Sequence, residues 1–178
     1  MLRMSGSLLD QAIMSIRSGL MIGVAKQPVI DPRNLKILGW WCRVGGNRQL
    51  LVLLAEDVRE MMPQGFAVND EHSLSLPTDL HRHREILANN FQLLGKPVKT
   101  KRRKLGKVAD FSYEDGSMFV QKLYVGRSLI KIFTNDDTVI IDRRQIIEVT
   151  DQYILVEDTE VKDTAEETVP AAATISSA

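Results

Sequence analysis

The strongest constraint on the fold is an internal repeat, because two versions of one sequence pattern fold into two versions of one supersecondary unit. Apolar runs and turn signals in the amino-terminal portion recur in the same order in the carboxy-terminal portion. The matched segments are residues 8–13 with 93–98, residues 22–24 with 105–107, and the turn 31–34 with the turn 114–117. Identities are few, so it is the shared order that indicates a duplication.

The correspondence continues through the second half of each repeat. Residues 52–54 match residues 139–141, either directly or in a frame shifted by one residue. The later matches are Val58 with Ile146, Glu60 with Glu148, Phe66 with Ile154, and Val68 with Val156. The second repeat is longer between Gly126 and Thr138, by enough for one extra hairpin. We therefore expect a first domain over residues 8–70, a linker over 71–92 and a second domain over 93–158.

Each repeat has the pattern of short antiparallel strands. Ala109, Phe111 and Tyr113 alternate with their neighbours, which is the period of a strand with one buried face. The predicted strands are 12–16, 22–30, 35–44, 50–54 and 66–69 in the first repeat, and 105–113, 117–125, 129–133, 139–142, 146–149 and 153–156 in the second. A small sheet hides its core and removes its edges by closing. The predicted fold class is mainly β, with two small antiparallel β-barrels in tandem, each around its own apolar interior.

A helix is predicted between the repeats. Leu80, His83, Leu87 and Phe91 fall on one face at helical spacing, which indicates a linker helix over residues 80–90. Near the start of the chain, Ser7 could instead cap a helix that continues to residue 16 in place of the first strand. From residue 159 onward the chain is acidic and lacks apolar periodicity, so residues 159–178 are expected to form a disordered tail.

The composition limits the class of protein. The 178 residues are 44% hydrophobic and 26% charged, with a formal net charge of zero, as in soluble globular proteins. Asp10 and Arg17 interrupt the most apolar early stretch, so it predicts neither a transmembrane helix nor a signal peptide. Cys42 is the single cysteine, which excludes an intramolecular disulfide and fits a reducing compartment. We expect a cytoplasmic protein.

Three segments of the second repeat resemble a known family. Residues 94–98, 105–110 and 144–149 are similar to a PRC-barrel domain, a fold found in the photosynthetic reaction-centre H subunit and in a ribosome maturation factor. The resemblance is clear over residues 91–158 and more divergent over 8–70, which implies a tandem PRC-barrel protein. The family implies a non-catalytic module that docks onto proteins or RNA assemblies, with no cofactor. We expect neither the H subunit's transmembrane helix nor the maturation factor's leading domain, so neither specific role is expected to transfer.

Residues 96–107 carry basic charges and no acidic ones. The candidate polyanion-binding residues are Lys99, Lys101, Arg102, Arg103, Lys104 and Lys107, with residues 101–104 expected at a hairpin tip. Such a cluster can neutralise RNA phosphates or contact an anionic membrane surface, and it can also be a solvated turn without a ligand. No aromatic series for stacking bases accompanies it. A further hypothesis is that the acidic tail, from Glu157 onward, screens this hairpin from partners.

Trp40 and Trp41 are adjacent in a predicted strand, so one should point inward and the other outward. An outward tryptophan is a candidate partner surface, unless the linker helix or the second barrel covers it. His81 and His83 are two residues apart, which does not suit chelation on a helix, and His72 and Cys42 have no partner motif. The sequence therefore predicts no metal site.

No catalytic constellation is present in the sequence. Asp31, Asp57 and Glu60 lie near turns without a partner at a diagnostic spacing, and Gly45-Gly46 lacks the rest of a phosphate-binding loop. The predicted function is a non-enzymatic scaffold or adaptor that docks onto a protein partner. The alternative is an RNA- or ribosome-associated maturation factor that uses the basic hairpin 99–104.

Overall fold

A computed structural model describes residues 1–46, 49–126 and 138–158 of the chain. The first sheet contains β2 (Gln11–Ser15), β3 (Met21–Asp31), β4 (Lys36–Arg43), β5 (Leu50–Leu54), β6 (Val58–Met62), β7 (Gly65–Val68) and β8 (Leu74–Ser75). The second sheet contains β1 (Leu2–Met4), β9 (Pro97–Lys99), β10 (Lys104–Glu114), β11 (Val120–Gly126), β12 (Thr138–Asp142), β13 (Ile146–Val149) and β14 (Ile154–Val156). Helix α1 (Arg84–Asn89) lies between them in the chain.

Both sheets have the same strand order. The first runs β6-β7-β2-β3-β4-β5 and the second runs β13-β14-β9-β10-β11-β12. Each contains one parallel pair among antiparallel ones, β2 with β7 and β9 with β14. A 3-10 helix also follows the fourth strand of each repeat, over Ala55–Asp57 and Arg143–Gln145. The chain therefore folds twice into one topology.

The ladder registers give the equivalent residues of the two repeats. They place three of the sequence matches at equal positions: Ile13 and Val98, Gly23 and Gly106, and Phe66 and Ile154. For β5 and β12 the frame shifted by one residue is correct. Leu53 lies opposite Trp40, and Ile141 lies opposite the equivalent residue Leu123. The internal repeat seen in the sequence is thus confirmed at the level of strand pairing.

The two sheets are curled, and their interiors are joined. In the described parts of the chain no ladder connects β5 to β6 or β12 to β13, because a 3-10 helix turns the chain at each of these corners. The buried apolar residues of both sheets form one continuous cluster, which also includes Leu8, Phe91 and Leu93, just before the first strand of each repeat. The expectation of two separate interiors is therefore not met, because buried residues of both sheets belong to one cluster.

Equivalent turns of the two repeats meet at the junction. Leu35 and Met118 have matching left-handed backbone angles, with φ of 55° and 59°. Ile37 donates a backbone hydrogen bond to Met118 at 2.7 Å, and Val120 donates one to Leu35 at 3.0 Å. These two bonds exchange under the repeat correspondence, so the repeats are joined by a reciprocal contact.

The segment that precedes each repeat packs against the other repeat. Strand β1 precedes the first repeat and pairs with β10 of the second. Helix α1 precedes the second repeat and packs on the first sheet, where Ile86 and Leu87 contact Val29 and Val52. The linker helix is shorter than predicted, because residues 81–83 form a 3-10 turn before it. The alternative helix over residues 7–16 is wrong, since Ile13 and Ser15 are buried at the two-residue spacing of a strand.

Two predicted features lie outside the described residues, namely the strand over residues 129–133 and the tail over 159–178. Within the described ranges, no helix has the length and apolar content needed to cross a membrane.

Candidate functional site

The basic hairpin, residues 99–104, connects β9 to β10, as the sequence predicted. Thr100 holds its backbone. The Thr100 N–H donates to the carbonyl of Arg103 at 2.9 Å, and its hydroxyl oxygen accepts hydrogen bonds from the N–H groups of Arg102 and Arg103, both at 3.1 Å. Thr100 is buried, whereas residues 101–104 are exposed. The turn is therefore rigid at its base and basic at its surface.

The basic side chains surround an open depression of about 420 Å³. It is lined by Lys99, Thr100, Lys101, Arg102, Arg103, Lys104, Tyr153 and Leu155. The Lys99 ammonium lies 3.5 Å from the centre of the Tyr153 ring, a cation–π contact that covers this aromatic face. The structure thus brings together five of the six predicted residues. Lys107 does not line the depression, although it is exposed on β10.

One cation of the basic hairpin has an acidic partner. The Arg102 guanidinium lies 3.2 Å from the carboxylate of Asp158, just beyond the end of β14. Among the described residues, no carboxylate lies within ion-pair distance of Lys101, Arg103 or Lys104. Asp158 belongs to the acidic stretch that the sequence analysis noted, but its position near this turn came from the fold.

The first repeat contains an equivalent hairpin between β2 and β3. Ser15 takes the place of Thr100, is buried, and accepts a hydrogen bond from the N–H of Ser18 at 3.2 Å. Arg17 takes the place of Arg102 and pairs with Asp70 at 3.1 Å, which is the counterpart of the Arg102–Asp158 pair. The hydroxyl clamp and the ion pair are therefore parts of the repeated unit itself.

The two adjacent tryptophans face different environments, as the sequence predicted. Trp40 is completely buried and packs against Phe66 with ring centres 4.4 Å apart. Trp41 is half-buried on the outer face, where α1 covers the cluster to which it belongs. Trp40 therefore cannot form part of a partner surface, because the core encloses it.

The exposed edge of β12 is a second candidate surface. In the first repeat, the equivalent edge of β5 pairs with β8, with Val52 opposite Ser75 and Leu53 opposite Leu74. Within residues 1–46, 49–126 and 138–158, the corresponding edge of β12 has no ladder partner. The outer faces differ as well, since α1 covers Val52, which is 1% exposed, whereas its equivalent Ile140 is 56% exposed. Sequence reasoning missed this edge because strand order is a long-range property.

The surroundings of Cys42, Asp31 and Asp57 shift the pKa values of these three groups. Burial raises the pKa of the Cys42 thiol to about 12, so the thiolate is scarce at neutral pH. Hydrogen bonds from Arg33 lower the pKa of Asp31, whose carboxylate accepts from the Arg33 side chain at 2.8 and 2.9 Å. Burial raises the pKa of Asp57, which lies in a 3-10 helix.

The histidines are dispersed. His72 lies with Asp70 and Glu71 on an exposed turn, where the Asp70 carboxylate accepts a hydrogen bond from the His72 N–H at 3.0 Å. That carboxylate closes the 3-10 turn and pairs with Arg17.

Comparison with protein-family models gives no match for the chain, and no curated protein matches its sequence.

Proposed function

We propose that the chain is a non-enzymatic adaptor that docks onto a protein partner by accepting an extended segment of that partner at the exposed edge of β12. The observation that carries the proposal is the difference between two equivalent edges. The β5 edge pairs with β8, whereas the β12 edge has no strand beside it in the described residues. An unpaired strand edge presents N–H and C=O groups that can bind an added strand.

The first repeat indicates the chemistry of the segment that would fit. There, the antiparallel strand β8 places Leu74 beside Leu53, and helix α1 covers Val52 on the outer face. A segment with an apolar residue near Ile140 would cover β12 in the same way. Main-chain hydrogen bonds would supply affinity, and the side chain beside Ile140 would supply selectivity. The similarity of the second repeat to PRC-barrel domains, which are docking modules, supports the same proposal.

The test uses two exposed isoleucines as a matched pair. Ile140 lies on β12 and is 56% exposed, and Ile147 lies on β13 and is 52% exposed. Ile140→Lys places a charge at the proposed docking edge, which opposes strand addition, whereas Ile147→Lys adds the same charge elsewhere. Tagged variants are used to capture partners from extract with and without nuclease treatment, and chemical cross-linking then maps the contact.

We expect a captured protein to cross-link to residues 138–142, to be retained by Ile147→Lys, and to be lost by at least about tenfold with Ile140→Lys. Equal capture by both variants would refute docking at β12. Release of the captured protein by nuclease would assign the contact to RNA and would also contradict the proposal.

A further inference from the structure

We propose that the basic hairpin, residues 99–104, is a binding site for the phosphodiester backbone of a nucleic acid, without sequence preference, and that Asp158 competes with that ligand for Arg102. This inference is independent of docking at β12, because it concerns another surface. It depends on three exposed cations without acidic partners in the described residues, Lys101, Arg103 and Lys104, around one depression.

Hydrogen bonds within the protein hold the backbone of the hairpin. Thr100 holds the turn through bonds to Arg102 and Arg103, so the free cations are attached to a fixed frame. Pre-ordering lowers the entropic cost of binding. Guanidinium and ammonium groups bind phosphate oxygens through charge-assisted hydrogen bonds, and each phosphate that they neutralise releases counterions.

The chemistry of the surface favours a nucleic-acid backbone over a membrane. Residues 101–104 contain no apolar side chain that could enter a bilayer. The Lys99 ammonium lies 3.5 Å from the centre of the Tyr153 ring, which lines the depression, so the covered face of that ring is not available to stack on a base. The expected mode is therefore contact with phosphates alone, which carries affinity without reading sequence.

An acidic protein segment is the competing ligand. A phosphodiester strand carries a charge on every nucleotide, so neighbouring cations can be neutralised in any register along it. A peptide would need carboxylates matched to Lys101, Arg103 and Lys104. We therefore favour the phosphodiester strand, and a peptide of equal charge serves as an arm of the test.

Asp158 has a role here that its counterpart lacks. Both repeats contain the same Arg–Asp pair, Arg17 with Asp70 and Arg102 with Asp158. The first pair lies beside an apolar tip, whereas the second lies inside the basic hairpin. Asp158 thus pairs with the Arg102 guanidinium, which could otherwise bind a phosphate. Its negative charge also repels an incoming polyanion.

The experiment measures binding of the full chain to a labelled uridine oligonucleotide of about 20 nucleotides between about 50 and 200 mM salt. Three phosphate contacts predict a slope of log K against log salt of about −2, at about 0.7 per contact on a single strand. The triple variant Lys101→Ala, Arg103→Ala, Lys104→Ala should reduce affinity at the lowest salt by about tenfold and bring the slope near zero. The single variant Lys101→Ala should reduce the slope by about 0.7.

The matched control changes three exposed arginines elsewhere, Arg43→Ala, Arg82→Ala and Arg144→Ala, and so alters net charge equally. It should retain most of the affinity and the slope. Equal loss in both triple variants would overturn the proposal, because net charge alone would then explain binding. A polyglutamate peptide of equal charge that binds as tightly, with the same dependence on the hairpin, would also overturn it.

The role of Asp158 is tested by Asp158→Asn, with Asp70→Asn as its equivalent in the first repeat. We expect Asp158→Asn to raise oligonucleotide affinity about two- to fivefold and to steepen the slope by about 0.7, because Arg102 becomes available. Asp70→Asn should change neither quantity. Equal effects of the two substitutions, or no effect of Asp158→Asn, would exclude the competition.

Discussion

Residues 15–21 and residues 100–104 occupy the same place in the two sheets and have the same local construction, yet their surfaces differ in chemistry. The first tip exposes Ile16, Leu20 and Met21, each more than half exposed. The second exposes Lys101 and Arg103 in a wholly basic tip. Each hairpin keeps a buried hydroxyl at its base and an Arg–Asp pair at its side.

The comparison shows which features the repeated fold requires. The buried hydroxyl and the ion pair hold the turn, so both repeats contain them. The tip side chains contact solvent and contribute nothing to the core, so they can differ without a cost to folding. The sheet edges also differ between the repeats, since β8 covers the edge of β5 and the edge of β12 is exposed in the described chain.

The largest predicted effect concerns the joined interior. Trp40→Ala and Leu123→Ala remove fully buried side chains at equivalent positions, and each should lower the free energy of unfolding by about 2–5 kcal/mol. Because the cluster is continuous across both sheets, each variant should unfold in urea in a single transition. Fluorescence and circular dichroism, used as the two probes, should give the same transition. Two separated transitions would show that the repeats unfold independently, as two separate domains.

An intermediate effect is expected at a position where the repeats differ. Gly65 has a φ of +148°, and a Cβ there would overlap the carbonyl oxygen of Ala12 on β2. Gly65→Ala should therefore destabilise the protein by about 1–3 kcal/mol. Its counterpart is Tyr153, and Tyr153→Ala should cost about 0.5–1 kcal/mol through loss of the Lys99 contact. Urea midpoints of the two variants measure the difference, and a smaller loss for Gly65→Ala would contradict the close approach of β7 to β2.

The smallest effect concerns acid sensitivity. The Arg33 side chain lowers the pKa of Asp31, so this pair adds stability above the unfolded pKa, near 3.8, which is lost as the pH falls through the lower folded value. Arg33 is 69% exposed, so solvent screening keeps the contribution of this pair to stability small. Asp31→Asn should flatten the dependence of the urea midpoint on pH between about 5 and 2. Glu114→Gln, at the equivalent and exposed position, should leave that dependence closer to the wild type, and equal flattening would be inconsistent with the Asp31–Arg33 pair as its source.

Most of the local structure could be predicted from the sequence. The two-residue alternation at Phe111 and Tyr113 identified a strand, since burial of one face is a local signal. The matched turns at residues 31–34 and 114–117 located equivalent hairpins, and the run from Lys99 to Lys104 identified a basic tip. Short features such as β1 and β8 were missed, because a strand of two or three residues carries too little pattern to detect.

Local sequence patterns were enough to predict the duplication, the strand-rich character and the charge of the basic hairpin, because periodicity and turn residues act over a few neighbouring positions. Tertiary structure decided which edges are covered, that the two interiors are continuous, and that Asp158 lies beside Arg102. Those outcomes depend on contacts between residues far apart in the chain. Their free energy comes from burial and pairing that no local pattern encodes.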